Sequence, residues 1–304
     1  MISVIMPVYN KEMYVVDSLK SVINQTYRDF ELIVVLDPST DKSSEQVYNF
    51  LQCNSHDLKV KVVSRDEAGP GGYAARNRGI EIAENEYVTF IDADDTWSID
   101  HLENLHLAAK NNPNASFFSS EWLNTVGKEP YTVFNISEFL SFEVRQRRRL
   151  ALTSAVMVRR SLIVSIGGFP DGAICQGGDV NLWLRLCLYG KYLIKLNKKT
   201  VCYRVDVPQQ VSASTINDPA FQYFTAKSIL SDQENDVDKF LLMKWSNQLV
   251  FYAWANNCRI SLRAINYFNL SKIVFYRVLE PKNIVALTLW LLFSWIRLDK
   301  IKNK

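Results

Sequence analysis

The sequence predicts an α/β protein with a mostly parallel, doubly wound sheet flanked by helices, followed by a helical C-terminal extension. Three observations carry this. Short β-rich runs alternate with helical patterns through the first half of the chain. One run, Leu32 to Leu36, is continuously apolar, as a strand covered on both faces is. In 304 residues, 48% hydrophobic and 22% charged, there is enough apolar surface for a large core. Alternation of this kind builds βαβ units.

The elements follow in order. Ser3 to Val8 reads as the first strand. Val15 to Gln25 is a helix, because Val15, Leu19, Val22 and Ile23 recur at helical spacing. Phe30 to Leu36 is the second strand, Ser43 to Cys53 a polar helix, and Lys59 to Val63 the third strand. Tyr73 to Glu84 is a helix and Tyr87 to Ile91 the fourth strand. The second half gives a helix from Ile136 to Arg149, a strand at Ser154 to Val158, a turn at Gly167-Gly168-Phe169 and an amphipathic helix from Asp179 to Leu188. From about Phe221 the chain turns to long apolar and aromatic helical segments without strand partners. The expected division is therefore a domain over residues 1–220 and a basic, aromatic helical segment over 221–304.

In open parallel sheets ligands bind beyond the carboxyl ends of the strands. Three polar clusters are expected there: Pro7-Val8-Tyr9-Asn10, Asp37-Pro38-Ser39-Thr40-Asp41 and Asp92-Ala93-Asp94-Asp95. Three carboxylates at the end of an apolar strand repel one another, and a hard divalent cation, Mn²⁺ or Mg²⁺, relieves this while leaving room for phosphate oxygens. The alternative for Asp95 is a cap on a helix beginning near Ser98. Arg65 to Gly79, RDEAGPGGYAARNRG, is a glycine-rich loop entering a helix. Its backbone N–H groups and arginines, Arg76 foremost, suit a diphosphate. Tyr9 is placed to stack on a base and Asp37 to accept the imide N–H of uracil or thymine. Taken singly, these two read as a loop tyrosine and a turn aspartate.

Composition excludes other classes. Five widely spread cysteines without a CxxC pair give neither a disulfide scaffold nor a thiolate zinc site, and fit a reducing compartment. MISVIMPVYNKE lacks the basic start and apolar run of a signal peptide, so the expected location is cytoplasmic. A net charge of +3 is too small for a dedicated nucleic-acid binder. It is unevenly spread: residues 239–304 hold eleven Lys or Arg against two acidic residues, a net +9 that leaves −6 for residues 1–238. That stretch also carries Trp245, Trp254, Trp290 and Trp295. Its longest uncharged run, Asn283 to Ile296, is short of the about 20 residues that span a bilayer. It suits the interface of an anionic membrane, or packing on protein.

The segments SVIMPVYNKE, QTYRDFELIVVLDPSTD, GYAARNRGI, FIDADD, the GGF at 167–169 and DVNLWLRLCLYG resemble the family 2 glycosyltransferases of the GT-A fold over roughly residues 1–205. The resemblance implies an inverting transferase using a nucleotide-diphosphate sugar, a UDP-sugar ahead of a dTDP-sugar, and Mn²⁺ or Mg²⁺. It implies that Pro7, Tyr9, Asp37, Arg76 and Asp94 bind the donor nucleotide, that Asp92, Asp94 and Asp95 form the metal region, and that Asp179 is the general base. The acceptor it implies is a saccharide or lipid-linked saccharide of cell-surface polysaccharide synthesis. Leu36, Pro38 and Gly178 depart from the family pattern: Gly178 replaces the glutamate that usually precedes the base. Asp206 lies where many members carry a histidine. These departures keep open a catalytically degenerate nucleotide-sugar binding module. A sugar nucleotidyltransferase is the weaker rival, because Tyr9-Asn10 stands where its glycine-rich loop is expected. The sequence leaves the oligomeric state open.

Overall fold

The computed structural model describes residues 1–54, 58–122, 129–146, 149–170, 176–204, 220–231, 238–260 and 274. The chain forms two compact units, one of Met1–Phe139 with Arg148–Val211, the other of Leu140–Arg147 with Ser212–Lys304.

The first unit opens with β1 (Ile2–Val8), α1 (Val15–Ile23), β2 (Phe30–Leu36), α2 (Ser43–Asn54), β3 (Lys59–Ser64), α3 (Tyr73–Ile82) and β4 (Tyr87–Phe90). β5 (Thr96–Trp97), α4 (His101–Asn111), β6 (Phe117–Glu121), β7 (Tyr131–Asn135) and α5 (Ile136–Gln146) follow. Then come β8 (Val156–Arg159), α6 (Arg160–Ser165), α7 (Gly178–Tyr189), β9 (Tyr192–Lys199) and β10 (Val201–Cys202). Eight strands make one sheet in the order β3-β2-β1-β4-β8-β6-β9-β7. The β3-β2-β1-β4 block is parallel, as is β6 with β9, while β8 runs against β4 and β6 and β7 runs against β9. The pair β5–β10 is a separate antiparallel ribbon.

Alternate residues face opposite sides of a strand. Val4, Met6 and Val8 of β1 and Leu32, Val34 and Leu36 of β2 join one cluster with Val15, Leu19 and Val22 of α1 and Leu102 and Leu105 of α4. On the other face, α3 packs so tightly that a Cβ on Gly79 would lie 2.4 Å from Ile5 Cγ2. Both faces of β1 and β2 are thereby covered, which is why these strands read as mainly apolar runs; each fully buried Val, Leu or Ile adds roughly 1.5–3 kcal/mol.

The second unit contains the latter part of α5 with α8 (Ala220–Ser231) and α9 (Lys239–Ile260). Trp245 is buried in it and donates its indole N–H to Glu143 Oε2 at 3.1 Å, and the Gln248 amide donates to the Val144 carbonyl at 3.0 Å. No helix among the described residues is long and apolar enough to cross a membrane. Residues 261–273 and 275–304, which carry most of the basic, aromatic run, lie outside the described residues, as does Asp206.

Candidate active site

The parallel register sets Val8, Leu36 and Ser64 side by side at the ends of β1, β2 and β3, so the next residues, Tyr9, Asp37 and Arg65, emerge together. The Asp37 N–H donates to the Val8 carbonyl and the Arg65 N–H to the Leu36 carbonyl, both at 2.9 Å, extending the ladder one residue past the sheet. Tyr9 is half exposed and Asp37 almost fully buried. Arg65 Nη1 donates to Asp37 Oδ1 at 2.6 Å. Burial pushes the Asp37 carboxyl up, and Arg65 pulls against it. Pro7 sits within β1 opposite Val35.

The loops after β1 and β2 are stitched together. Asn10, with φ 51° in the left-handed region that Asn tolerates, accepts the Thr40 N–H at 2.8 Å, and its own N–H donates to Ser39 Oγ. The Lys11 N–H donates to Ser43 Oγ at 2.6 Å. This aims Lys11 across the site, where Nζ lies 2.8 Å from Asp94 Oδ2.

The three aspartates after β4 take different environments. Asp92 pairs with Arg76 Nη2 at 2.5 Å, Asp94 pairs with Lys11, and Asp95 is buried. Asp95 accepts from Ser154 Oγ at 2.5 Å and from the Arg204 N–H at 3.1 Å, while its backbone carbonyl accepts from Ser18 Oγ at 2.6 Å. Burial first, and the charge of Asp92 second, push its carboxyl up to about 8. Ser154 Oγ also accepts the Asp92 N–H at 3.0 Å, so one hydroxyl braces both ends of the carboxylate loop. Asp95 does not cap the next helix: α4 starts at His101, with Asp100 in the cap position.

The loop before α3 delivers Arg76. Gly71 and Gly72 both take positive φ, 66° and 68°, which a side chain would strain; the Gly71 carbonyl accepts from Arg76 Nη1 at 2.9 Å. Arg76 is buried over the rings of Tyr73 and Phe169, with its Nε left without a partner. Burial works against its charge, but Asp92 and, more weakly, Asp179 hold the guanidinium above its ordinary pKa. Arg78, by contrast, pairs with Glu81 on the surface.

Asn77 joins two motifs that are far apart in sequence: its amide donates to the Phe169 carbonyl and accepts the Phe169 N–H, both at 2.9 Å. The chain then passes to α7, whose first turn contains Asp179. Tyr203, beyond β10, completes the ring. Burial, followed by the charges of Asp95, Asp92, Asp94 and Asp179, pushes its phenol up to about 12. All four carboxylates thus act on one hydroxyl.

Among the described residues no group of three His, Cys, Asp or Glu is arranged to hold a metal. The donor chemistry still suits a hard cation, because Mg²⁺ commonly takes only one or two carboxylates and completes its shell with water and phosphate. Asp92 and Asp94 each use one oxygen on a cationic side chain. Lys11, Arg65, Ser154 and Tyr203 had no assigned role in the sequence. Signals existed for two of them: Lys11 stands two residues past Tyr9, and Arg65 is the first residue after β3.

A mostly parallel sheet whose strand ends gather aspartates, arginines and a glycine-rich loop is the arrangement of a nucleotide-binding α/β enzyme. The sequence matches the model of glycosyl transferase family 2 over residues 3–159, more than half of its length, and the chain belongs to that family. Glycosyltransferase GlyA of Streptococcus pneumoniae is 32% identical over 221 residues, 67% of this chain and 30% of GlyA. The Escherichia coli UDP-Glc:alpha-D-GlcNAc-diphosphoundecaprenol beta-1,3-glucosyltransferase WfgD is 33% identical over 132 residues, 42% of this chain and 50% of WfgD. The matched stretch therefore spans half of these relatives or less. Among solved structures, S. aureus TarS 1–349 with UDP-GlcNAc superposes with a TM-score of 0.66 at 20% identity, covering 91% of this chain and 76% of TarS 1–349. The mannosyltransferase PcManGT of Pyrobaculum calidifontis, with GDP-Man and Mn²⁺, gives 0.60 at 18%, covering 97% and 86%. At these identities the likeness is one of fold.

Proposed function

We propose that this protein is an inverting glycosyltransferase. It moves a sugar from a nucleotide-diphosphate donor, a UDP-sugar ahead of a dTDP-sugar, to a hydroxyl of a saccharide or lipid-linked saccharide in cell-surface polysaccharide synthesis. The observation that carries this is the position of Arg76: its buried guanidinium pairs with Asp92 at 2.5 Å and lies over the ring of Tyr73, whose hydroxyl accepts the N–H of Gly178, the residue before Asp179.

In this reading Pro7, Tyr9 and Asp37 receive the nucleoside, Asp94 the ribose, and Arg76 and Lys11 the diphosphate. Asp179 takes the proton of the acceptor hydroxyl, whose oxygen forms the new bond to the anomeric carbon. The bond to the diphosphate breaks with its electron pair passing to the leaving oxygen. A positioned base is typically worth about 10² to 10⁴ in rate. Mn²⁺ or Mg²⁺, held by Asp92 and Asp94, would supply further neutralisation of the leaving diphosphate; both oxygens of Asp95 already accept hydrogen bonds, from Ser154 Oγ and the Arg204 N–H. The lipid-linked acceptor named for WfgD and the +9 charge of residues 239–304 support an acceptor met at the cytoplasmic face of an anionic membrane. Flotation with anionic liposomes, comparing the full chain with one ending near Lys282, tests the membrane part: equal non-binding removes it.

A donor screen by nucleoside-diphosphate release, with Mn²⁺ and Mg²⁺ compared, tests the activity. Asp179→Asn should lose transfer by at least about a hundred-fold while still binding UDP. Full transfer by that variant removes Asp179 as the base, and donor binding without turnover by the wild type leaves a binding module.

A further inference from the structure

We propose that Tyr73 is a positioning residue for Asp179, and that its ring and Gly178 form a matched pair in which the residue before the base must lack a side chain. The proposal rests on the reading of Asp179 as the base.

The first N–H groups of a helix have no partner within it. α7 begins after Gly177, at φ 80°, with no side-chain cap of its own. The acceptor comes instead from α3: Tyr73 Oη takes the Gly178 N–H at 3.0 Å. A phenol 105 residues away in sequence thus caps the turn that holds the base.

This cap is rigid. The Tyr73 ring is 5% exposed and stacks on Phe169, with centroids 5.7 Å apart and planes 16° apart. Phe169 is itself held edge-on by Phe90 and Trp183, and its main chain is gripped on both sides by Asn77. The same ring sets the size of the residue before the base. A Cβ on Gly178 would meet Tyr73 Cε2 at 2.7 Å and Cζ at 2.8 Å, with Pro170 Cγ at 3.1 Å. A ring locked in a stack cannot yield as a flexible chain end does, so glycine at 178 is the counterpart of tyrosine at 73. Arg76 lies one turn along α3 from Tyr73, its Cζ 5.9 Å from the ring centroid. One helix therefore places both the diphosphate-binding arginine and the support of the base, and errors of about 1 Å in such placements can cost about a hundred-fold in rate.

The test uses the full chain and follows nucleoside-diphosphate release from UDP-GlcNAc, UDP-Glc, dTDP-Glc and GDP-Man, with UDP affinity measured by calorimetry. Tyr73→Phe keeps the ring and deletes the acceptor. It should lower kcat by about ten-fold and leave donor KM and UDP affinity near wild type, while the buried Gly178 N–H it strands lowers the melting temperature by a few degrees. Gly178→Ala should lose both turnover and stability, and in the double variant with Tyr73→Ser the loss of stability should be clearly smaller than the sum of the two single losses, because the clash is relieved in it. Unchanged kcat in Tyr73→Phe, where Asp179→Asn abolishes turnover, overturns the positioning role. Wild-type behaviour of Gly178→Ala, or additive losses in the double variant, overturns the matched pair. Full turnover by Asp179→Asn, or none by the wild type on all four donors, instead overturns the functional reading beneath the proposal.

Discussion

Arg65 and Asp37 are each the first residue past the end of a strand, and they meet there as a 2.6 Å ion pair over a carboxylate that is only 3% exposed. Burial alone drives a carboxyl toward its neutral form, and the guanidinium opposes this. Arg65→Met removes the strongest of the effects that oppose burial, leaving the Gly69 N–H and the Arg76 charge, so the Asp37 pKa rises further. UDP affinity should fall about ten-fold at pH 6 and recover as the pH is raised and Asp37 regains its charge. Calorimetry between pH 6 and 8.5 checks this; a loss independent of pH assigns Arg65 another role.

In the proposed reading, Lys11 and a divalent cation would compete for Asp94. Removing the ammonium 2.8 Å from Oδ2 leaves that carboxylate without its counter-ion. Lys11→Ala should bind Mn²⁺ about ten-fold more tightly without nucleotide and bind UDP more weakly when metal is chelated. Mn²⁺ titration by electron paramagnetic resonance reads the first, calorimetry the second. Unchanged Mn²⁺ affinity would contradict the competition.

Ser154 satisfies two buried groups with one hydroxyl, the Asp95 carboxyl and the Asp92 N–H. Ser154→Ala strands both, at a cost of roughly 1–3 kcal/mol. Its melting temperature should drop by several degrees, whereas Ser154→Thr should retain most of the stability.

His101 is fully buried, with Nδ1 2.7 Å from Thr200 Oγ1 and its ring stacked on Trp97. Burial lowers its pKa from 6.5 to about 3. The unfolded chain therefore binds this proton more readily than the folded one, and stability is lost as pH falls from 6.5 toward 3. The slope is up to about 1.4 kcal/mol per pH unit from this group. The melting temperature of His101→Asn should fall less than that of wild type across this window; parallel curves would show that the ring carries the same charge in the folded and unfolded states.

The strands β1, β2 and β4 are legible because burial on both faces leaves mainly apolar residues there, with one polar residue each, Ser3, Glu31 and Thr89. β6 and β9 are not. Ser119, Ser120 and Glu121 of β6 are buried polar residues, and Lys195 of β9 is buried with its ammonium on the Ser120 carbonyl and over the Trp122 ring. Polar groups satisfied by partners 75 residues away erase the apolar pattern that marks a strand. β7 is an edge strand and partly exposed, so it lacks the signal too. The aspartates of the site stood out as clusters after apolar runs. Ser154 and Tyr203 did not, because an isolated serine or tyrosine gains meaning only from what the fold brings beside it.

Because β8 runs against β4, the edge that collects the ends of the first four strands also collects the start of a later one, and this is how Ser154 reaches Asp95. The Arg204 N–H comes later still. During synthesis, a nascent chain that has completed its four parallel strands holds a carboxylate loop whose partners have yet to be made. Asp95 can be buried at low cost only after residue 204 has been added, so the donor edge is among the last parts of this unit to set.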